Sequence, residues 1–247
     1  MTPARAAGMG LPMPFPVVRL ARAELRFAPR PWAFAQARRA EIDAHFAGLS
    51  RANPHAFNGR VLMLHEFAVD DGVLRGAYFE TDFASFIAWR DWGWPDPAVR
   101  NCFAQAALRA ADGAFLLGVM SAHTLNAGRI YFPSGTPDPT DIVGDEVDLE
   151  GSVMRELTEE TGLIADDVTL DHGWHAVLAG PRLAMLKTMR SPLEASELRA
   201  QILAHLATEA HPELADVRIA RRPADLDHMM PEFIKDYLLE MWKEWRE

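Results

Sequence analysis

Three features of the sequence predict an α/β protein. Two apolar-rich runs, 61–67 and 73–79, flank Asp70-Asp71-Gly72, a strong hairpin signal. A second pair, 114–120 and 128–132, is entered through Asp112-Gly113 and past Asn126. Between and beyond these pairs, apolar residues recur every three or four positions, the period of a helix packed on one side. At 247 residues the chain is long for one domain and short for two. We read it as an irregular lead-in over 1–16, an α/β extension over 17–100, and a main domain over 101–247 that ends in a helix.

Taken in order, 17–27 alternates loosely through Val18, Leu20, Ala23, Leu25 and Phe27, which predicts one or two short strands. Pro31 opens a helix over 32–49, with Phe34, Ile42, Phe46 and Leu49 on one side and Asn53-Pro54 ending it. After the first hairpin, 83–90 and 98–106 are expected as helices around Trp89, Trp92 and Trp94. Those tryptophans are expected to serve packing or an interface first, and ligand stacking second. Later, 168–170, 174–178 and 183–189 are strand-like, and Ser191-Pro192-Leu193-Glu194 has the form of a capping box opening a helix that buries Leu198, Ile202 and Leu206. A last strand over 217–220 precedes a helix from Pro231, with a stripe of Phe233, Ile234, Tyr237, Leu238, Met241, Trp242 and Trp245. That stripe is expected to be core or a homodimer surface.

Charge and cysteine usage narrow the function. The net charge is −10, from 35 acidic and 25 basic residues, which disfavours nonspecific binding to nucleic acid. Cys102 is the single cysteine, so neither an internal disulfide nor a thiolate metal cluster is expected. No segment approaches the roughly 20 apolar residues that span a bilayer, and 1–16 lacks a secretory pattern. We therefore expect a cytoplasmic protein without membrane contact.

One helix concentrates the chemistry. Glu156, Glu159 and Glu160 stand at i, i+3 and i+4, which places three carboxylates on one helical face. Asp148 is placed to cap the first turn and Gly162 to end the last, while Val153, Leu157 and Thr161 recur on the opposite side. Like charges at this spacing repel, so the face calls for a cation. The stretch Arg155-Glu156-Leu157-Thr158-Glu159-Glu160-Thr161-Gly162-Leu163 resembles the second half of the Nudix box, Arg-Glu-U-x-Glu-Glu-x-Gly-U with U aliphatic. The resemblance implies a Nudix-type α/β/α sandwich with a mixed sheet. It also implies Mg²⁺ or Mn²⁺ as cofactor and hydrolysis of a diphosphate in a small nucleoside diphosphate derivative. By that likeness Glu159 and Glu160 are metal ligands, Glu156 a further ligand or the base, and Arg155 the residue that orients them.

The first half of the box departs from the pattern: its Glu falls on Val147 and its Gly on Asp141. With Gly135 as the glycine, the loop before Arg155 is six residues longer, and Glu146, Asp148 or Glu150 stands in for the missing carboxylate. A further ligand or base is expected near the last strands, where Glu209 and Glu213 lie. Asn53-Pro54, Phe57, Tyr78-Phe79 and Thr81 loosely resemble a nucleotide-sugar diphosphatase subgroup, which puts nucleotide sugars ahead of ADP-ribose, dinucleotides and coenzyme A derivatives. The rival readings are a Nudix-fold nucleotide-binding or regulatory module without hydrolysis, and a structural partner protein built on the terminal helix. His172 and His175 lack a third ligand for zinc. Neither a nucleophile elbow nor a Walker-type phosphate loop occurs.

Overall fold

A computed structural model describes residues 14–244. Strands β1 (Val17–Leu20) and β2 (Arg22–Phe27) lead into helices α1 (Ala33–Ala37) and α2 (Arg39–Ala52). Then come β3 (Arg60–Asp70), β4 (Val73–Asp82), α3 (Phe83–Asp91), β5 (Asn101–Arg109) and β6 (Phe115–Met120). The short pieces β7 (Ile130–Tyr131), β8 (Ser134–Gly135), β9 (Ile142–Val143) and β10 (Glu146–Val147) carry the chain to α4 (Leu149–Thr161). The remainder is β11 (Thr169–Leu170), β12 (Trp174–Ala179), β13 (Arg182–Arg190), α5 (Ala195–Leu206), β14 (Leu214–Ala220) and α6 (Glu232–Glu244).

Two mixed sheets result. The larger runs β1-β12-β13-β5-β6-β14, with β13 and β5 parallel; the smaller runs β3-β4-β2-β10-β9, with β2 and β4 parallel. Strands from 17–100 pair with strands from 101–247 in both sheets, β1 on β12 and β2 on β10. On the larger sheet, Cys102, Ala104, Ala106 and Leu108 point to a core shared with α4 and α5. Phe103, Ala107, Leu117 and Leu186 point to the opposite core, under α6. Helices therefore cover both faces of this sheet, as the sandwich expectation required. Among the described residues no helix is long and apolar enough to cross a membrane.

The first hairpin forms as expected through Asp71 and Gly72, both at positive φ. Three expectations need correction. The helix expected over 32–49 is broken at Arg38, which leaves helical geometry and lays its guanidinium 4.0 Å from the centre of the Trp92 ring. The helix expected over 98–106 is instead the central strand β5. It is buried on both faces, so its small apolar run shows no alternation that could distinguish strand from helix. The helix expected to begin at Ser191-Pro192 starts at Ala195, with Glu194 in the capping position, and the Ser191 hydroxyl accepts from the Leu193 N–H.

The tryptophans pack, as expected. Trp89 is fully buried, with Trp94 edge-on at 4.5 Å and Trp32 at 6.0 Å. The terminal stripe from Phe233 to Trp242 is core, closing over the larger sheet; Trp245 lies outside the described residues, as does 1–13 of the lead-in. Cys102 is buried, and burial pushes its thiol up to about 12, which keeps it unreactive.

Candidate active site

Helix α4 forms because its apolar side outweighs its acidic side. Leu149, Val153, Leu157 and, just past the helix, Leu163 are all at least 97% buried, each stabilising by about 2 kcal/mol relative to exposure. The repulsion among its carboxylates costs only tenths of that per pair. Asp148 accepts from the Gly151 N–H at 2.9 Å, and Gly162, at φ 73°, ends the helix with its N–H on the Thr158 carbonyl. A rigid rod thus presents the acidic face.

The three carboxylates occupy different environments. Glu159 is 64% exposed by side chain and Glu156 is 18% exposed. Glu160 is buried: Oε1 accepts from the Ser134 N–H at 3.0 Å, while Oε2 has no hydrogen-bond partner. Burial, reinforced by Glu159 and Glu213 against the opposing pull of Arg155, raises Glu156 to about 7. Burial likewise holds Glu160 well above the usual carboxylate range, opposed by the Ser134 N–H and reinforced by Glu156, Glu213 and Glu159. An orphaned carboxylate oxygen among mutually repelling carboxylates is a donor set suited to a hard cation. Among the described residues no three His, Cys, Asp or Glu side chains already form a metal-ligand cluster. Binding a cation here would therefore draw the carboxylate ends together, and exposed Glu159 has the freedom to swing.

Arg155 is held by a residue the sequence did not single out for this role. Its guanidinium donates to both oxygens of Asp141, at 2.5 and 3.3 Å, and reaches Glu156 at 3.7 Å and Glu159 at 3.9 Å. Asp141 also accepts from the Ser152 hydroxyl at 3.1 Å and the Asp138 N–H at 3.0 Å. Asp141 stands where the family pattern has glycine. Its local signal was only the turn in Pro-Asp-Pro-Thr-Asp, because the partner lies fourteen positions on.

The proposed substitutes for the missing carboxylate serve elsewhere. Asp148 caps the helix, Glu150 pairs with the buried Lys187 at 2.6 Å, and Glu146 is exposed on β10. Of the two later glutamates, Glu213 places its charge near Glu156 and Glu160, whereas Glu209 pairs with His205 at 3.3 Å. His172 and His175 part company: His172 is exposed, and His175 packs against the Tyr237 ring at 5.7 Å. A cavity of about 640 Å³, walled in part by Trp174, Lys187 and Glu150, opens at the start of α4. It is separated from Glu160 by almost the whole helix.

Two expected results arise here. Strand β8 runs so close to the acidic face that a Cβ on Gly135 would stand 2.1 Å from the Glu156 Oε1. Gly135→Ala should therefore displace that carboxylate, lowering kcat by about tenfold, or about 1.4 kcal/mol of barrier, with little change in melting temperature. Unchanged kcat would remove Gly135 from the site.

The second concerns pH. With Glu156 higher in the folded than in the unfolded chain, the native state binds more protons between about 4.5 and 7. Metal-free stability is then greatest at the acidic end and falls as pH rises through that window, by about 1.4 kcal/mol per unit for this group. Urea unfolding at pH 5 and pH 7 should show the fall, and Glu156→Gln should reduce it. An equal slope in both proteins would contradict the assigned cause.

No protein-family model and no curated protein matches the sequence. The chain is similar in structure to a Nudix hydrolase from M. smegmatis, RenU, at 17% identity over 60% of this chain and 86% of that one, with a TM-score of 0.40. A MutT protein from Methanosarcina mazei is similar at 16% identity, over 60% and 96%, with a TM-score of 0.41. An Ap4A hydrolase from C. elegans is similar at 16% identity, over 58% and 96%, with a TM-score of 0.37.

Proposed function

We propose that this chain is a Nudix-type hydrolase that cleaves the diphosphate of a nucleoside diphosphate derivative, with Mg²⁺ or Mn²⁺ held by Glu156, Glu159 and Glu160. The observation that carries the reading is the orphaned Glu160 oxygen on a carboxylate face whose arginine is anchored by Asp141. When bound, the cation supplies charge neutralisation for the diphosphate and a lowered pKa for water. The chain's residues do the rest. Asp141 and Arg155 fix the carboxylate face, and the Ser134 N–H orients Glu160. Glu156, mostly enclosed on the same face, is either the further ligand or the base that accepts a proton from the attacking water. Glu213, close enough to reinforce both shifts, is the second candidate for that proton.

Nucleotide sugars are the first substrates to test, followed by ADP-ribose, dinucleotides and coenzyme A derivatives. A panel with Mg²⁺ or Mn²⁺ and phosphatase-coupled phosphate detection decides the matter. Metal-dependent turnover supports the hydrolase. Tight nucleotide binding with no product would overturn it in favour of a non-hydrolysing module.

A further inference from the structure

Strand β8 is only two residues long, yet it touches both enclosed carboxylates of α4. The Ser134 N–H donates to the Glu160 Oε1 at 3.0 Å, and Gly135 passes so close to Glu156 that a side chain there would collide with it. The position of β8 therefore sets where two of the three carboxylates point. So short a strand has little pairing of its own to hold it. Backbone bonds fasten the chain on either side, from the Ala106 N–H to the Pro133 carbonyl at 2.9 Å and from the Leu62 N–H to the Pro137 carbonyl at 2.7 Å.

Within β8 the side-chain tie is Gln105. It stands opposite Ser134 in the β5–β8 register, and its Nε2 donates to the Ser134 Oγ at 3.2 Å. Ser134 thus joins two partners, Gln105 through its hydroxyl and Glu160 through its N–H.

Packing alone does not call for a glutamine here. Gln105 is 1% exposed, and strand alternation sets it between Phe103 and Ala107 on the face that α6 covers, with Leu186 beside it on β13. Its Oε1 is buried without a hydrogen-bond partner among the described residues. A buried amide with one end unpaired costs stability, and a methionine of similar length would fill the same space without that cost. The side-chain hydrogen bond that its polarity does make is the one to Ser134.

We propose that Gln105 is a positioning residue for the cation site and acts through Ser134. It holds β8 on β5 at the register in which the Ser134 N–H engages the Glu160 Oε1 and leaves Oε2 for the ion. The link to a cation rests on the hydrolase reading; the link to Glu160 does not.

Gln105→Met removes the tie and keeps the core filled. Mn²⁺ titrated into the full chain, followed by loss of the free-ion paramagnetic resonance signal, should bind about fivefold more weakly than to wild type, the worth of one hydrogen bond. Metal-free melting should be unchanged or higher, because the variant also removes an unpaired buried oxygen. Protection against amide exchange in the metal-free chain should fall about fivefold at position 134, with Ala104 and Ala106 unchanged. Ser134→Ala cuts the same bond from the other end and should weaken Mn²⁺ equally. The double variant should then match either single one within about twofold. Losses that multiply would show Gln105 acting by another route and would overturn the proposal. So would wild-type affinity, or wild-type protection at position 134, in Gln105→Met. If that variant melts early, Ser134→Ala carries both measurements, and wild-type values there overturn the proposal equally. A wild type that binds no Mn²⁺ would defeat the hydrolase reading, and protection at position 134 would still decide whether Gln105 places the donor to Glu160.

Discussion

Glu160→Gln lowers kcat by at least 100-fold, while the metal-free protein melts at the same temperature as wild type or higher. The two effects have one cause. The Glu160 carboxylate is buried, its Oε2 is without a partner, and Glu156, Glu159 and Glu213 all disfavour its charge. Such a group destabilises the folded chain unless a cation completes it. Glutamine keeps an oxygen for the Ser134 N–H and removes the charge, so the fold gains or stands still. The cation loses a ligand, and a 100-fold loss corresponds to about 2.7 kcal/mol of transition-state stabilisation. Glu159→Gln should lose activity as steeply but leave melting unchanged, because its side chain is mostly in solvent. Calorimetric melting and the coupled phosphate assay measure both, and near-full turnover in either variant would end the metal-ligand assignment.

Asp141→Ala is expected to destabilise the protein by about 3 kcal/mol, the low end of the range for breaking a buried ion pair, since Arg155 keeps some contact with water. Four donor groups lose their acceptor together: two guanidinium nitrogens, the Ser152 hydroxyl and the Asp138 N–H. Arg155, already 3.7 Å from Glu156 and 3.9 Å from Glu159, is then free to close on both. That motion occupies the carboxylates with an internal cation, so kcat should fall by at least tenfold beyond any loss of folded protein. Asp141→Asn, which retains an oxygen acceptor, should recover part of the stability. Wild-type melting and turnover in Asp141→Ala would show that Arg155 needs no anchor.

The legible parts of the molecule are those whose causes lie within a few residues. The acidic helix could be read from its cap at Asp148, its stop at Gly162 and an apolar stripe one turn apart, and it stands where these signals put it. The first hairpin followed from Asp71-Gly72 in the same way. Strand β5 was not legible, because a run buried on both faces carries neither the period of a strand nor that of a helix. Its identity comes from lying parallel to β13, more than eighty positions further along the chain.

The sequence by itself determined that three carboxylates share one rigid face beside an arginine, because helical geometry makes that a matter of spacing alone. Only the tertiary structure decided that Glu160 is the buried member, that Asp141 holds Arg155, that Gly135 passes against Glu156, and that Glu213 brings its charge to bear on Glu156 and Glu160. Each depends on segments brought together by packing of the apolar core. That packing sets burial and distance, and with them the charge state a carboxylate can hold, none of which is encoded in the order of neighbouring residues.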